Sequence, residues 1–209
     1  MKNSLPTLKL PVMLVLLAIL LGGYFYADYV EQKGKDNASA YPVVEIKTAG
    51  GLIVIELYPD KAPVTVANFL KYVKGGYLNN ASFYRAVRLD NQQNKTTPIQ
   101  VLQGGLWYHD STGVFAAVPL ETTEETGILH RDAVVSMARD ADPNTATSEF
   151  FICIGNNYPL DKGGRPNSKG YAAFGKVIQG MDLVRKYQEY PAKGQLLEPR
   201  VDFEEVRLR

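Results

Sequence analysis

The stretch SFYRAVR, residues 82–88, reads as a β-strand and raises a question about its arginine. With a side-chain period of two, Phe83, Arg85 and Val87 share one face, and Tyr84, Ala86 and Arg88 share the other. An arginine among apolar neighbours either snorkels to solvent or pairs with a carboxylate, unless the site needs a fixed cation. Working outward, VVEIKT (43–48) and LIVIELY (52–58) flank a glycine turn and form a hairpin. Further strand signals lie near 100–103, 133–138, 149–154, 171–178 and 201–208. Helical spacing joins Val66, Phe69, Leu70, Val73 and Tyr77, with Gly75-Gly76 as the stop, and a second helix follows Gly180. About eight strands and two helices without βαβ alternation point to a mainly β fold, an antiparallel sheet closed into a barrel and capped by the two helices. The segment 106–131 is long and weakly patterned.

The chain has 209 residues, of which 45% are hydrophobic and 22% charged, enough for one domain with a real core. Of the 23 Lys/Arg and 22 Asp/Glu, four basic residues (Lys2, Lys9, Lys33, Lys35) and three acidic ones (Asp28, Glu31, Asp36) precede residue 41, so the remainder is balanced. Without a basic excess, nucleic-acid binding is not expected. Two histidines (His109, His130) and one cysteine argue against a closed zinc site, and an internal disulfide is impossible.

Leu10 to Ala27, LPVMLVLLAILLGGYFYA, contains no charge. As a helix it covers ~27 Å, just enough for a ~30 Å hydrocarbon core. Lys2 and Lys9 precede it while Asp28 and Glu31 follow, so the expectation is a stub and anchor helix over 1–27, a polar linker over 28–42 and an exported domain over 43–209. That places the domain on the extracytoplasmic side of the membrane. Secretion after cleavage at Ala38-Ser39-Ala40 is the alternative.

Among familiar catalytic sets, a hydrolytic triad is not expected, because His109 and His130 flank the weakly patterned segment with no G-x-S-x-G nearby. Cys153, in the apolar stretch EFFICIG, reads as a buried structural thiol. No glycine-rich phosphate loop occurs. What remains is a series of segments: PVTVANFLKYV (63–73), FYRAV (83–87), QGG (103–105), SMAR (136–139), SEFFICIG (148–155) and AFGKVIQGMDLV (173–184). In order and spacing this series resembles the cyclophilins, a family of peptidyl-prolyl cis–trans isomerases, over essentially all of 43–208.

The resemblance implies an eight-stranded antiparallel barrel with a helix at each end, no cofactor or metal, and proline-containing polypeptides as substrates, with a monomer expected. It places the family's catalytic arginine on Arg85. It also places the substrate-holding glutamine on Gln103, the proline-pocket phenylalanine on Phe151, and further pocket positions on Leu160, Val101 and Tyr171. Ala138 and Arg139 fall in the strand-end segment that meets residues before the proline, and Gln100 falls where a second pocket phenylalanine is common. An arginine there makes chemical sense. Rotating an X–Pro bond destroys amide conjugation and leaves a nitrogen lone pair that a fixed cation can bind. If the acceleration were about 10⁵-fold, ~7 kcal/mol would have to be removed, whereas one preorganised donor supplies ~3–4 kcal/mol. The rest must come from gripping the peptide.

Several positions depart from the family pattern. LDNQQNKTTP (89–98) is an inserted loop beside the site, and Gln100 would leave one pocket wall more polar. Pro159 replaces a tryptophan that matters to cyclosporin binding, so weak drug sensitivity is expected. Glu149 replaces a common glutamine, and its charge near the groove would favour basic residues before the proline. The leading reading is an isomerase assisting the folding of exported proteins. A proline-binding scaffold or chaperone with little turnover and a β-barrel small-ligand carrier are the alternatives.

Overall fold

The structure is a computed structural model and describes residues 41–107 and 115–209. The expected anchor over 1–27, most of the linker, the cleavage site and His109 lie outside the described residues. Among those described, no helix is long and apolar enough to cross a membrane.

Strands β1 (Val43–Thr48) and β2 (Gly51–Leu57) form the expected hairpin, with Thr48 opposite Gly51. They begin a sheet ordered β1-β2-β7-β5-β6-β4-β3-β9, whose last strand pairs back onto β1. The other members are β3 (Ser82–Val87), β4 (Val101–Gly105), β5 (Val134–Met137), β6 (Phe150–Cys153), β7 (Ala173–Gln179) and β9 (Leu196–Leu208). Every pairing is antiparallel. Eight strands therefore close a barrel, and closure leaves no main-chain edge to template aggregation. The two-residue strand β8 (Ala192–Lys193) pairs with β9 outside that ring. β9 begins at Leu196 rather than at Val201 because it serves three partners in turn, β8, β3 and β1.

Three α-helices lie among the described residues, one more than the sequence suggested. Helix α1 (Pro63–Lys74) starts with proline, whose missing N–H costs nothing there, and buries Val66, Phe69, Tyr72 and Val73. It gives way to Gly75-Gly76, and Gly76 takes φ 71°, open to glycine. The additional helix, α2 (Thr123–Thr126), is a single turn inside the weakly patterned segment, held by a reciprocal capping box between Thr122 and Glu125. Helix α3 (Met181–Gln188) follows Gly180 and buries Val184, Tyr187 and Gln188.

Alternation along each strand sorts side chains into two apolar clusters. The barrel interior holds Ile46, Ile55, Phe83, Ala86, Leu102, Val135, Phe150, Ile152 and Phe203, with α1 adding Phe69. Its rings meet edge to face, Phe83 against Phe203 at 4.7 Å and Phe69 against Phe150 at 5.5 Å. A smaller cluster lies on the outer face: Val87, Val101, Ile128, Val134, Phe151, Cys153, Leu160 and Ala173.

The strict period of two fails in β3. The register slips between Phe83 and Arg85 on both neighbouring strands, so Tyr84 is an extra residue, a β-bulge. The bulge changes the parity: Phe83 and Ala86 face the interior, whereas Arg85 shares the outer face with Val87. Arg85 therefore does not stand beside Phe83, as simple alternation had it.

Candidate active site

On the outer face, Arg85, Ile99, Val101, Gln103, Ala138, Arg139, Phe151, Leu160 and Tyr171 line a hollow of about 90 Å³. Its floor is apolar, and its polar groups converge from β3 and β4, where Arg85 is directly opposite Gln103 and Gln103 is opposite Phe151. Phe150 points into the barrel and Phe151 into the hollow, as neighbours on a strand must. Tyr171 stands edge-on to Phe151 at 5.6 Å. Arg139 lies over the Tyr171 ring at 4.7 Å and donates to the Gly170 carbonyl, so it roofs the hollow. Thus the structure brings together Arg85, Gln103, Phe151, Leu160, Val101, Ala138, Arg139 and Tyr171.

Gln100 is the exception. Its N–H donates to Asn157 Oδ1 at 2.6 Å and its carbonyl accepts from Ile154 N at 2.9 Å, extending the β4–β6 ladder, while Ile99 takes the wall. Ile99, Val101 and Gln103 share one face by strand alternation, which leaves Gln100 on the other and makes the wall apolar and not polar. The loop itself is tied down: Asn91 Nδ2 donates to the Ala86 and Gly194 carbonyls, Gln92 bridges the backbone of Arg88 and Ile99, and Arg165 donates to Thr97.

The Arg85 guanidinium is held on two sides. Its Nη1 donates to Gln103 Oε1 at 2.7 Å, while its Nε and Nη2 donate to Gln195 Oε1 at 3.0 and 2.7 Å. Three of the five guanidinium N–H groups are thus used, and two remain for a ligand. Gln195 is a member that the sequence did not reveal. It sits in the β8–β9 turn, where a Gly-Gln pair signals a hairpin but not the side chain that the hairpin will meet.

Beside the hollow runs a wider groove of about 530 Å³, lined among others by Tyr84, Gln103, Trp107, Arg139 and Glu149. Here Gln103 Nε2 donates to the Tyr84 hydroxyl at 2.7 Å, which donates to Glu149 Oε2 at 2.6 Å. Glu149 Oε1 accepts from Leu106 N at 2.7 Å and from Ser148 Oγ at 3.1 Å. Burial pushes the Glu149 carboxyl up, although its hydrogen bonds from Tyr84, Ser148 and the backbone pull the other way. Burial, then the Glu149 charge, pushes the Tyr84 phenol well up. The carboxylate lines the groove but is already occupied by the protein's own donors, which reduces the charge it offers to basic residues before a proline. The QGG segment makes this approach possible: Gly105 has φ 146°, and a Cβ there would stand 2.5 Å from Glu149.

Behind Phe151 lies an arrangement that the sequence did not suggest. His130 Nδ1 meets Asp161 Oδ1 at 2.7 Å, and His130 Nε2 meets Ser136 Oγ at 2.9 Å. This has the composition of a hydrolytic triad, yet His130 and Ser136 are fully buried. The imidazole stacks on Phe151 at 5.9 Å and 22°, so the trio supports the pocket floor and meets no substrate. Burial alone would raise the Asp161 carboxyl, but hydrogen bonds from the His130 ring and backbone outweigh it and hold it below the ordinary range. Cys153 is buried as expected, and burial pushes its thiol far up.

A hollow of about 550 Å³ at the β1–β2 turn lies away from these groups. Of the charges around it, Glu45 pairs with Arg207 and Arg209, and Lys47 with Glu204.

Comparison with known proteins gives the same family as the sequence motifs. Residues 43–207 match the model of the cyclophilin type peptidyl-prolyl cis-trans isomerase family. A peptidyl-prolyl cis-trans isomerase of Acinetobacter baylyi is 35% identical over 179 residues, 86% of this chain and 85% of that protein. Peptidyl-prolyl cis-trans isomerase B of Escherichia coli is 32% identical over 145 residues, 69% of this chain and 82% of that protein. The fold matches a crystal structure of a Cryptosporidium parvum cyclophilin with a TM-score of 0.64 at 22% identity, covering 81% of this chain and 98% of that one. The chain belongs to the cyclophilin-type peptidyl-prolyl cis-trans isomerases, and its substrates are proline-containing polypeptides.

Proposed function

We propose that this isomerase acts on exported proteins during their folding, and that Arg85 lowers the barrier by donating to the prolyl nitrogen as its bond twists. The observation that supports the mechanism is the clamped guanidinium: Gln103 and Gln195 fix it at the rim of an apolar hollow and leave two donors unspent. A planar amide offers its nitrogen lone pair poorly and a twisted one offers it fully, so the same donor favours the transition state over both isomers. Fixing the cation beforehand spares its reorganisation when the charge develops. The proline ring occupies the hollow over Phe151, Val101 and Leu160, and the preceding residues cross the groove past Ala138 and Arg139. Ile99, and not Gln100, completes the wall, so the hollow is apolar there.

Export rests on the sequence alone, on the charge-free run 10–27 with lysines before and acids after it. Uncatalysed prolyl isomerisation takes tens of seconds and limits folding where native prolines must switch, so an isomerase tethered outside the cytoplasm meets chains just after translocation. Refolding of a proline-limited protein tests the activity. The full-length enzyme is expected to speed the slow phase and Arg85→Ala to be less effective by about 10²–10³-fold; equal rates for the two would overturn the assignment of Arg85. Protease protection of intact cells and spheroplasts, followed by N-terminal sequencing, tests the location. A domain digested only in spheroplasts with the N-terminus retained supports the anchor, and one digested only after lysis contradicts export.

A further inference from the structure

We infer that Glu149 is a positioning residue that sets the direction of the hydrogen-bond relay holding Arg85, an inference that rests on the role proposed for Arg85 above. The relay runs from Glu149 through Tyr84 and Gln103 to the guanidinium, with each link between 2.6 and 2.7 Å. Its polarity follows from donor counting. An ionised carboxylate only accepts, so the single hydroxyl proton of Tyr84 goes to Glu149. The Tyr84 oxygen must then accept from Gln103, which turns the amide NH₂ toward Tyr84 and the amide oxygen toward Arg85. The donor-only guanidinium asks for the same amide orientation from the other end, so the relay satisfies every link only while its far end is an acceptor.

Three local features hold the carboxylate in place. Leu106 N–H and the Ser148 hydroxyl bind Oε1, Tyr84 binds Oε2, and the Trp107 backbone adds a further hydrogen bond to the carboxylate. Gly105 gives the carboxylate room that any side chain would take. Trp107 stacks on the Tyr84 ring at 5.0 Å and 30°, fixing where the phenol points. Glu149 touches no reacting atom in this scheme and acts through the two side chains between it and Arg85.

Glu149→Gln keeps the shape and reverses the logic. Leu106 N–H still requires an oxygen at the Oε1 place, so the new NH₂ faces Tyr84, whose proton then turns to Gln103 or loses its acceptor. In the first case Gln103 flips and presents donors to Arg85; the other orientation of the new amide sets NH₂ against Leu106 N–H instead. Each arrangement leaves a donor without an acceptor in a half-buried site.

The test measures turnover and peptide affinity separately for the full-length protein in mild detergent, using exchange NMR and calorimetry on a short Xaa-Pro peptide. Glu149→Gln is expected to lower kcat about tenfold while the peptide Kd moves less than about twofold. Tyr84→Phe is expected to do the same, and the double variant to be no slower than either single one, because both cut one relay. Wild-type turnover in Glu149→Gln, a loss appearing only in Kd, or multiplying losses in the double variant would each overturn the inference. If Glu149→Gln does not fold, Tyr84→Phe decides alone: reduced kcat supports the relay and wild-type kcat overturns it. Arg85→Ala serves as the reference. If that variant turns over like wild type, the proposed role of Arg85 itself has failed; if it is slow while Glu149→Gln is normal, only the relay has.

Discussion

The barrel interior and the outer pocket are made by the same strands, residue by residue, yet they answer to different demands. Phe150 and Phe151 are adjacent on β6, but one is locked among Phe69, Phe83 and Phe203 inside the barrel and the other floors the substrate hollow. Leu102 and Val101 divide in the same way on β4, as do Ala86 and Val87 on β3. The interior is apolar and close-packed, so any residue of suitable shape can hold it together. The outer face leaves a concavity and lets polar groups enter it, which spends some burial on a site. One step along a strand thus separates stability from function.

Paired truncations break this division most severely. Phe150→Ala should lower unfolding free energy by about 3–5 kcal/mol, the usual range for a fully buried aromatic ring, as read by urea denaturation. Phe151→Ala should weaken Xaa-Pro peptide binding by at least about tenfold while unfolding less easily than Phe150→Ala. Equal stability losses in the two variants would contradict the separation. A smaller effect is expected at Gln195, which lies outside the barrel ring. Gln195→Ala removes the acceptor for two Arg85 N–H groups and should lower kcat/KM about fivefold, the equivalent of a ~1 kcal/mol hydrogen bond. An unchanged rate would show that Gln103 alone positions the cation.

The smallest effect belongs to the buried trio behind Phe151. Asp161 has its carboxyl held low by His130, so its contribution to stability is present above the ordinary aspartate value, ~3.9, and is lost as pH falls through its depressed folded value. Denaturation profiles should therefore steepen on the acid side, and Asp161→Asn should flatten that limb. An acid limb identical in the variant would remove His130–Asp161 from the support of the pocket.

Much of this was legible in the chain. The strand and helix periods, the hairpin turn and the six family segments lead to an eight-stranded barrel, and they single out Arg85, Gln103 and Phe151. Residues set by tertiary register were hidden. The bulge at Tyr84 leaves no local mark, because SFYRAVR satisfies simple alternation equally well, and only pairing with β4 and β9 shows the extra residue. Ile99 at the wall was legible, by contrast, since it shares a face with Val101 and Gln103 in simple alternation. Gln195 and Asp161 come from sequence-distant turns, and nothing near Arg85 or His130 announces them. Helix α2 could have been found, since Thr122 and Glu125 have the spacing of a capping box.

The measurement that tests the account most directly is exchange NMR on an Xaa-Pro peptide bound to the wild type and to Arg85→Ala, yielding the on-enzyme cis–trans rate and the peptide affinity from one sample. The account predicts an on-enzyme rate lower by about 10²–10³-fold in the variant, with peptide affinity changed by less than about threefold. Retention of the wild-type rate in Arg85→Ala, or a loss of rate explained entirely by lost binding, would contradict it.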